Sequence, residues 1–191
     1  APEGVHNATC TKIIDLGMQE STYQGNTSLK RKVLIEWEID GEKRTDGEPF
    51  LAASRYTLSL GQNAQLRKTL QSWRGRAFTK EELKEFDLEK VLGAPCQLQI
   101  VHNEASNGNT YANVESIMPL AKGVQKPQPT VELLMYDCED PDPAVLDKLS
   151  ERLGDIVTTG KAKLEEQNGT LRKKMEEESK VKDDLEDEIP F

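Results

Sequence analysis

Cysteine is scarce in this sequence and unpaired in its spacing. Cys10, Cys96 and Cys138 are an odd set with no Cys-x-x-Cys among them. That speaks against a disulfide framework and against a cysteine zinc site, and makes reduced thiols in a cytoplasmic setting the expectation. Histidine is scarcer still. His6 and His102 stand alone, with no Cys, Ser or carboxylate at a motif spacing, and no glycine-rich phosphate loop is present, so neither an enzyme nor a bound metal or cofactor is expected. The alternating acids Glu36, Glu38 and Asp40 are read as the solvent face of a strand rather than a nuclease cluster. Long apolar runs are missing too, so neither a signal peptide nor a membrane span is expected.

What the chain has in quantity is charge, unevenly placed. Residues 1–126 carry 16 Lys+Arg and 16 Asp+Glu, whereas residues 127–191 carry 9 and 18, so the whole net charge of −9 falls in the last third. Between Lys30 and Lys80 the balance reverses, with 11 basic residues against 6 acidic. Local potential governs contact because screening acts over about 8–10 Å, so an acidic chain can still present a surface for a polyanion.

Hydrophobic periodicity divides the chain into three parts. Thr11–Leu16 is a first strand. Val33, Ile35, Trp37 and Ile39 alternate with polar residues as a half-buried second strand, and Tyr56, Leu58 and Leu60 do so as a third. Leu66, Leu70 and Trp73 then fall at helical spacing before Gly75, and Thr79-x-x-Glu82 is a capping box that opens a short second helix. Leu98 and Ile100 mark a fourth strand and Tyr111–Met118 a fifth, closed by Pro119. Five short strands with a helix between the third and fourth is the order of a five-stranded OB-fold barrel, with a two-sheet sandwich as the other option. The expected organisation is a binding domain over residues 1–126, a linker and helix over 127–160, and an acidic, frayed or disordered tail over 161–191. The helix after Asp142-Pro143 either packs back on the barrel or pairs with a second copy, so a homo-oligomer is an open expectation.

Basic and aromatic residues interleave in the positive segment, and that is what a binder of unstacked, phosphate-bearing strands needs. Candidate contacts are Lys30, Arg31 and Lys32, Arg55 beside Tyr56, and Trp73 followed by Arg74 and Arg76. Tyr23 in the first loop and Tyr111 beside the loop between strands 4 and 5 join them. Trp37 is included although its phase with Val33 and Ile35 favours the core, and Tyr56 and Trp73 face the same choice.

The chain closes on Asp183-Asp184-Leu185-Glu186-Asp187-Glu188-Ile189-Pro190-Phe191. Pro190 biases Ile189 toward an extended conformation, which holds Ile189 and Phe191 out as two apolar plugs behind an acidic run. This ending closely resembles the tip of bacterial single-stranded DNA-binding proteins. Residues 1–120 are similar to phage-encoded single-stranded DNA-binding proteins, through Ser54–Leu58, Leu70-Gln71-Ser72-Trp73-Arg74-Gly75, Phe78, Asp87-Leu88, Leu92-Gly93, Cys96–Val101 and Tyr111–Pro119. The resemblance implies an OB fold and sequence-tolerant coating of single-stranded DNA in replication or recombination, inside a bacterial host cell. It also implies recruitment of replication and recombination proteins through Asp187, Glu188, Ile189, Pro190 and Phe191, and the acidic tail is expected to compete with DNA for the basic surface. The alternatives are a phage adaptor whose tail mimics the host tip, and a strand-annealing protein. The segment Pro143–Lys182 departs from the Gly/Gln-rich linker of the bacterial proteins.

Overall fold

A computed structural model describes the backbone of residues 1–186 and the side chains of residues 1–175. Two long strands organise it. β1 (Gly4–Tyr23) and β2 (Asn26–Lys43) pair antiparallel through a two-residue turn at Gln24-Gly25, where φ is 50° and 81°. Positive φ at both central positions matches the twist of the flanking strands, and the glycine makes it inexpensive. β3 (Pro49–Thr57) pairs with β2, while β4 (Pro95–Glu104) pairs with the first half of β1 and β5 (Thr110–Met118) pairs with β4. The sheet order is therefore β3-β2-β1-β4-β5, all antiparallel, with a short parallel strand β6 (Leu134–Tyr136) added to the middle of β1.

The result is a mostly-β protein built on an open sheet. Among the described residues β3 and β5 approach each other without a hydrogen-bonded ladder, so the closed cylinder expected from the element order is not present as a continuous ladder. β1 is also longer than Thr11–Leu16, and β3 ends at Thr57, which leaves Leu58 and Leu60 outside it.

Helix α1 (Gln65–Arg74) packs beneath the sheet because Leu66, Leu70 and Trp73 recur on one face, and it stops where Gly75 takes φ 68° and returns its N–H to the last turn. Ser72 Oγ donates to the Ile117 carbonyl and Trp73 Nε1 to the Pro95 carbonyl, at 2.5 and 3.0 Å, tying the helix to β5 and β4. The capping box at Thr79 and Glu82 forms as read, opening α2 (Lys80–Lys84). A 3-10 turn at Leu88–Val91 leads into β4. Val33, Ile35, Trp37, Leu66, Leu70 and Trp73 share one core with Leu98 and Ile100.

A second core lies on the opposite side of β1 and β2. After α3 (Pro143–Leu146), helix α4 runs unbroken from Glu151 to Glu186 and buries Val157 and Leu164 against Ile14, Leu16, Met18 and Leu34. The frayed tail expected from Lys161 is thus helix as far as Glu186, supported by packing at its base and by a Lys161–Glu165 pair at 3.6 Å one turn apart. At the crossing Gly160 meets Gly17 backbone to backbone, and a Cβ on either would overlap main-chain atoms of the other's neighbourhood. Gln19 Nε2 donates across that contact to the carbonyls of Leu16 and Ile156, at 2.6 and 3.2 Å.

The stretch read as a linker is partly pinned to the sheet. Thr9 Oγ1 donates to the Pro127 carbonyl at 3.1 Å, and the Glu38 carboxylate accepts from the N–H groups of Thr130 and Val131 and from the Thr130 hydroxyl, at 2.8–3.0 Å. Glu38 is 6% exposed and so is not on a solvent face; Glu36 pairs with Lys12 at 2.8 Å, and only Asp40 of the three acids is fully exposed. All three cysteines are buried free thiols. Burial pushes the Cys138 thiol up to about 12 and those of Cys10 and Cys96 higher, which leaves them poor nucleophiles.

Candidate nucleic-acid interface

The gap between β3 and β5 is a cleft of about 340 Å³ with a polar lining. Register explains its chemistry. Lys32 lies opposite Thr57 and Leu34 opposite Arg55, so Lys32, Arg55 and Thr57 stand on the side of β2 and β3 that faces away from the α1 core, beyond the edge of the second core that takes Leu34. Lys32 Nζ donates to Thr57 Oγ1 at 3.0 Å and to Ser21 Oγ at 3.4 Å, both neutral partners that leave its charge intact. Arg55 is exposed, with no carboxylate within ion-pair distance among the described residues. Gln65 and Thr69 of α1 and Ser116 of β5 complete the walls, and Glu115 is the one carboxylate there.

A second groove of about 360 Å³ shares Thr57 and Gln65 with the first and extends it past Ser59, Gln62 and Asn63 to Lys30. Together they form one polar track carrying Lys30, Lys32 and Arg55, with amide and hydroxyl groups between them. Such a lining suits phosphates through its cations and base edges through its amides. Tyr56 lines the floor but is 8% exposed. Its burial raises the phenol pKa, opposed by hydrogen bonds with Ser54 and Thr69, so the ring serves the core and presents only an edge.

The other predicted contacts are distributed away from this track. Trp37 is fully buried and Trp73 6% exposed, with ring centroids 5.8 Å apart, so neither offers a face to a base. Arg31 is held by three carboxylates: Asp15 at 2.5 Å, Glu139 at 2.7 Å and Asp137 at 3.0 Å. Burial opposes its charge, but the Asp15 and Glu139 bonds outweigh it and raise the guanidinium pKa. Arg74 and Arg76 both close on Glu82, at 2.7 and 2.6 Å, and Arg74 also lies 4.2 Å over the Phe78 ring. Those two arginines, with the Thr79 N–H, pull the Glu82 carboxyl down to about 2. Tyr23 at the hairpin tip and Tyr111 near the β4–β5 loop are 70% and 50% exposed, and side-chain bonds from Asn107 and Asn109 lower the Tyr111 phenol. Asp187, Glu188, Ile189, Pro190 and Phe191 lie outside the described residues.

Sequence reading therefore found the three cations of the track and missed its neutral members. The run Gly61-Gln62-Asn63 ahead of α1 was the available signal, an amide-rich loop beside a basic strand. No protein family, no curated protein and no solved structure matches this chain. Among the described residues no helix is long and apolar enough to cross a membrane.

Proposed function

We propose that this protein binds single-stranded DNA without sequence preference along the β3–β5 track, and that residues 187–191 recruit replication or recombination proteins. The observation that carries the reading is the convergence of Lys30, Lys32 and Arg55, none of them paired with a carboxylate among the described residues, on one polar groove. We read the fold as an opened OB barrel. Its support is the strand order, the placement of α1 between β3 and β4, and the approach of β3 to β5. In OB folds the face of strands 2 and 3, with the loops after strands 1 and 4, takes the ligand. Here the chain's own residues 127–138 and helix α4 occupy the outer side of β1 and much of β2, so the route for a strand is displaced toward β3 and β5. Tyr23 and Tyr111 stand exposed at the strand ends beside the two loops, where a ring can stack on a base.

Anisotropy of a labelled oligo-dT strand tests this at two salt concentrations. Affinity should fall with salt at a slope near −0.7 per phosphate contacted, so about −2 for three cations. Intrinsic tryptophan fluorescence is the wrong reporter, because both rings are in the core. An oligonucleotide left free at micromolar protein sinks the proposal and favours an adaptor that binds only protein.

A further inference from the structure

Another groove borders the same segment as the track but takes its alternate residues. Leu58 and Leu60 line it, whereas Thr57, Ser59 and Gly61 line the track. Its other walls are the Lys84–Leu88 corner and the stretch from Met135 to Glu139, and its volume is about 470 Å³. Ile13, Val33 and Leu66 form a buried floor. Leu58, Leu60, Phe86, Leu88 and Met135 around it are only half-buried, so apolar surface is left uncovered. The charged lining is one-sided: Asp15, Glu85, Asp87, Asp137 and Glu139 stand against Arg31 and Lys84, an excess of three negative charges. Arg31 shows what these acids bind. Its guanidinium holds Asp15, Asp137 and Glu139, yet the Asp137 and Glu139 side chains remain 44% and 61% exposed. A carboxylate offers about four acceptor positions, so both can take a further donor. Glu85 and Asp87 make no ion pair among the described residues.

We propose that this groove docks a basic segment of a partner protein, with apolar side chains on the floor and Lys or Arg heads on the acidic rim. Long basic side chains suit such a site because the stem is apolar and only the head is charged. Arginine suits it best, since a guanidinium meets a carboxylate through two parallel hydrogen bonds. The volume falls within the range of ligand pockets, about 300–1,000 Å³. Charge excludes the other occupants. A polynucleotide meets net repulsion here, so this groove and the track select opposite partners. Residues 176–191 carry 8 acidic residues against 2 basic, and a second copy brings a net charge of −9, so both are repelled as well. A cationic segment is attracted by the chain as a whole and then held by the one groove that joins uncovered apolar surface to spare carboxylates.

Fluorescence anisotropy of the labelled peptide Lys-Leu-Arg-Phe-Arg with the full chain should show saturable binding, with a Kd below about 1 mM that rises with salt. A peptide with Leu and Phe replaced by Ala, and one with its basic residues replaced by Glu, should each bind at least about fivefold more weakly. Glu85→Lys/Glu139→Gln should weaken the parent peptide at least about tenfold, with circular dichroism unchanged. Glu48→Lys/Glu104→Gln makes the same change in charge at exposed acids outside the groove and should weaken it less than about twofold. Equal losses in the two variants reduce the binding to general attraction by an acidic chain and overturn the assignment. So does an acidic peptide that binds as well as the basic one, or a basic peptide that shows no saturation by about 1 mM.

Discussion

The β3–β5 track and the α1–α2 corner have similar basic residues but opposite electrostatic fates. Lys32 and Arg55 face hydroxyls and solvent, whereas Arg74 and Arg76 are bound to one carboxylate, that of Glu82. Arg31, one residue from Lys32, is surrounded by three. Counting cations along a sequence measures composition, but the field at a surface depends on which of them still lack a counter-charge. The same difference separates residues that hold the fold from residues free to bind.

The strongest way to expose that difference is Arg31→Ala. It leaves the 5%-exposed Asp15 without its partner, and loss of one member of a buried pair costs about 3–5 kcal/mol. The midpoint of urea unfolding should fall accordingly, while DNA affinity of the folded fraction stays near that of the parent. Next comes Lys32→Glu/Arg55→Glu, which should weaken oligo-dT binding on the order of 100-fold at low salt by replacing two attractive contacts with repulsive ones. Stability should hardly change, because both side chains make only neutral or solvent contacts; an unchanged affinity would place the strand elsewhere. Arg74→Gln/Arg76→Gln should alter affinity by less than about twofold, since both guanidinium groups are already bound to the Glu82 carboxylate and neither lines the track. A loss as large as that of the track variant would erase the contrast between the two regions.

The smallest effect is a pH dependence. The Glu82 carboxyl titrates lower folded than unfolded, because Arg74, Arg76 and the Thr79 N–H favour its anion. Its contribution is therefore fully present above the ordinary value of 4.5 and drains away as pH falls from there toward 2. Urea midpoints for Glu82→Gln and the parent should differ at pH 6 and converge near pH 2. A constant gap would assign the effect to helix packing instead of charge.

Local signals carried much of the architecture into the sequence. The alternation from Val33 to Ile39, the Leu66–Leu70–Trp73 spacing with its Gly75 stop, and the Thr79/Glu82 box all depend on neighbours within a few residues, and each formed. What escaped depends on partners far along the chain. Glu38 reads as one of three solvent-facing acids until residues 130 and 131, some ninety positions later, fold over it. Arg31 reads as a free cation until Asp137 and Glu139 arrive, and Tyr56, Trp37 and Trp73 fit equally well as core or as platforms until α1 is seated. The cleft itself was legible only in part, because Gln65, Thr69 and Ser116 come together from three elements and have no motif of their own.

The glycine crossing divides the molecule's response to its surroundings. Gly17 and Gly160 meet backbone to backbone and the base of α4 is held mainly by apolar burial, with the Lys163–Glu20 pair at 3.4 Å a half-exposed addition, so its footing should depend far less on ionic strength than the proposed hold on polynucleotide. Beyond that footing the helix rises for about 39 Å at 1.5 Å per residue to Glu186. Brine that would strip the proposed cargo should leave this mast standing.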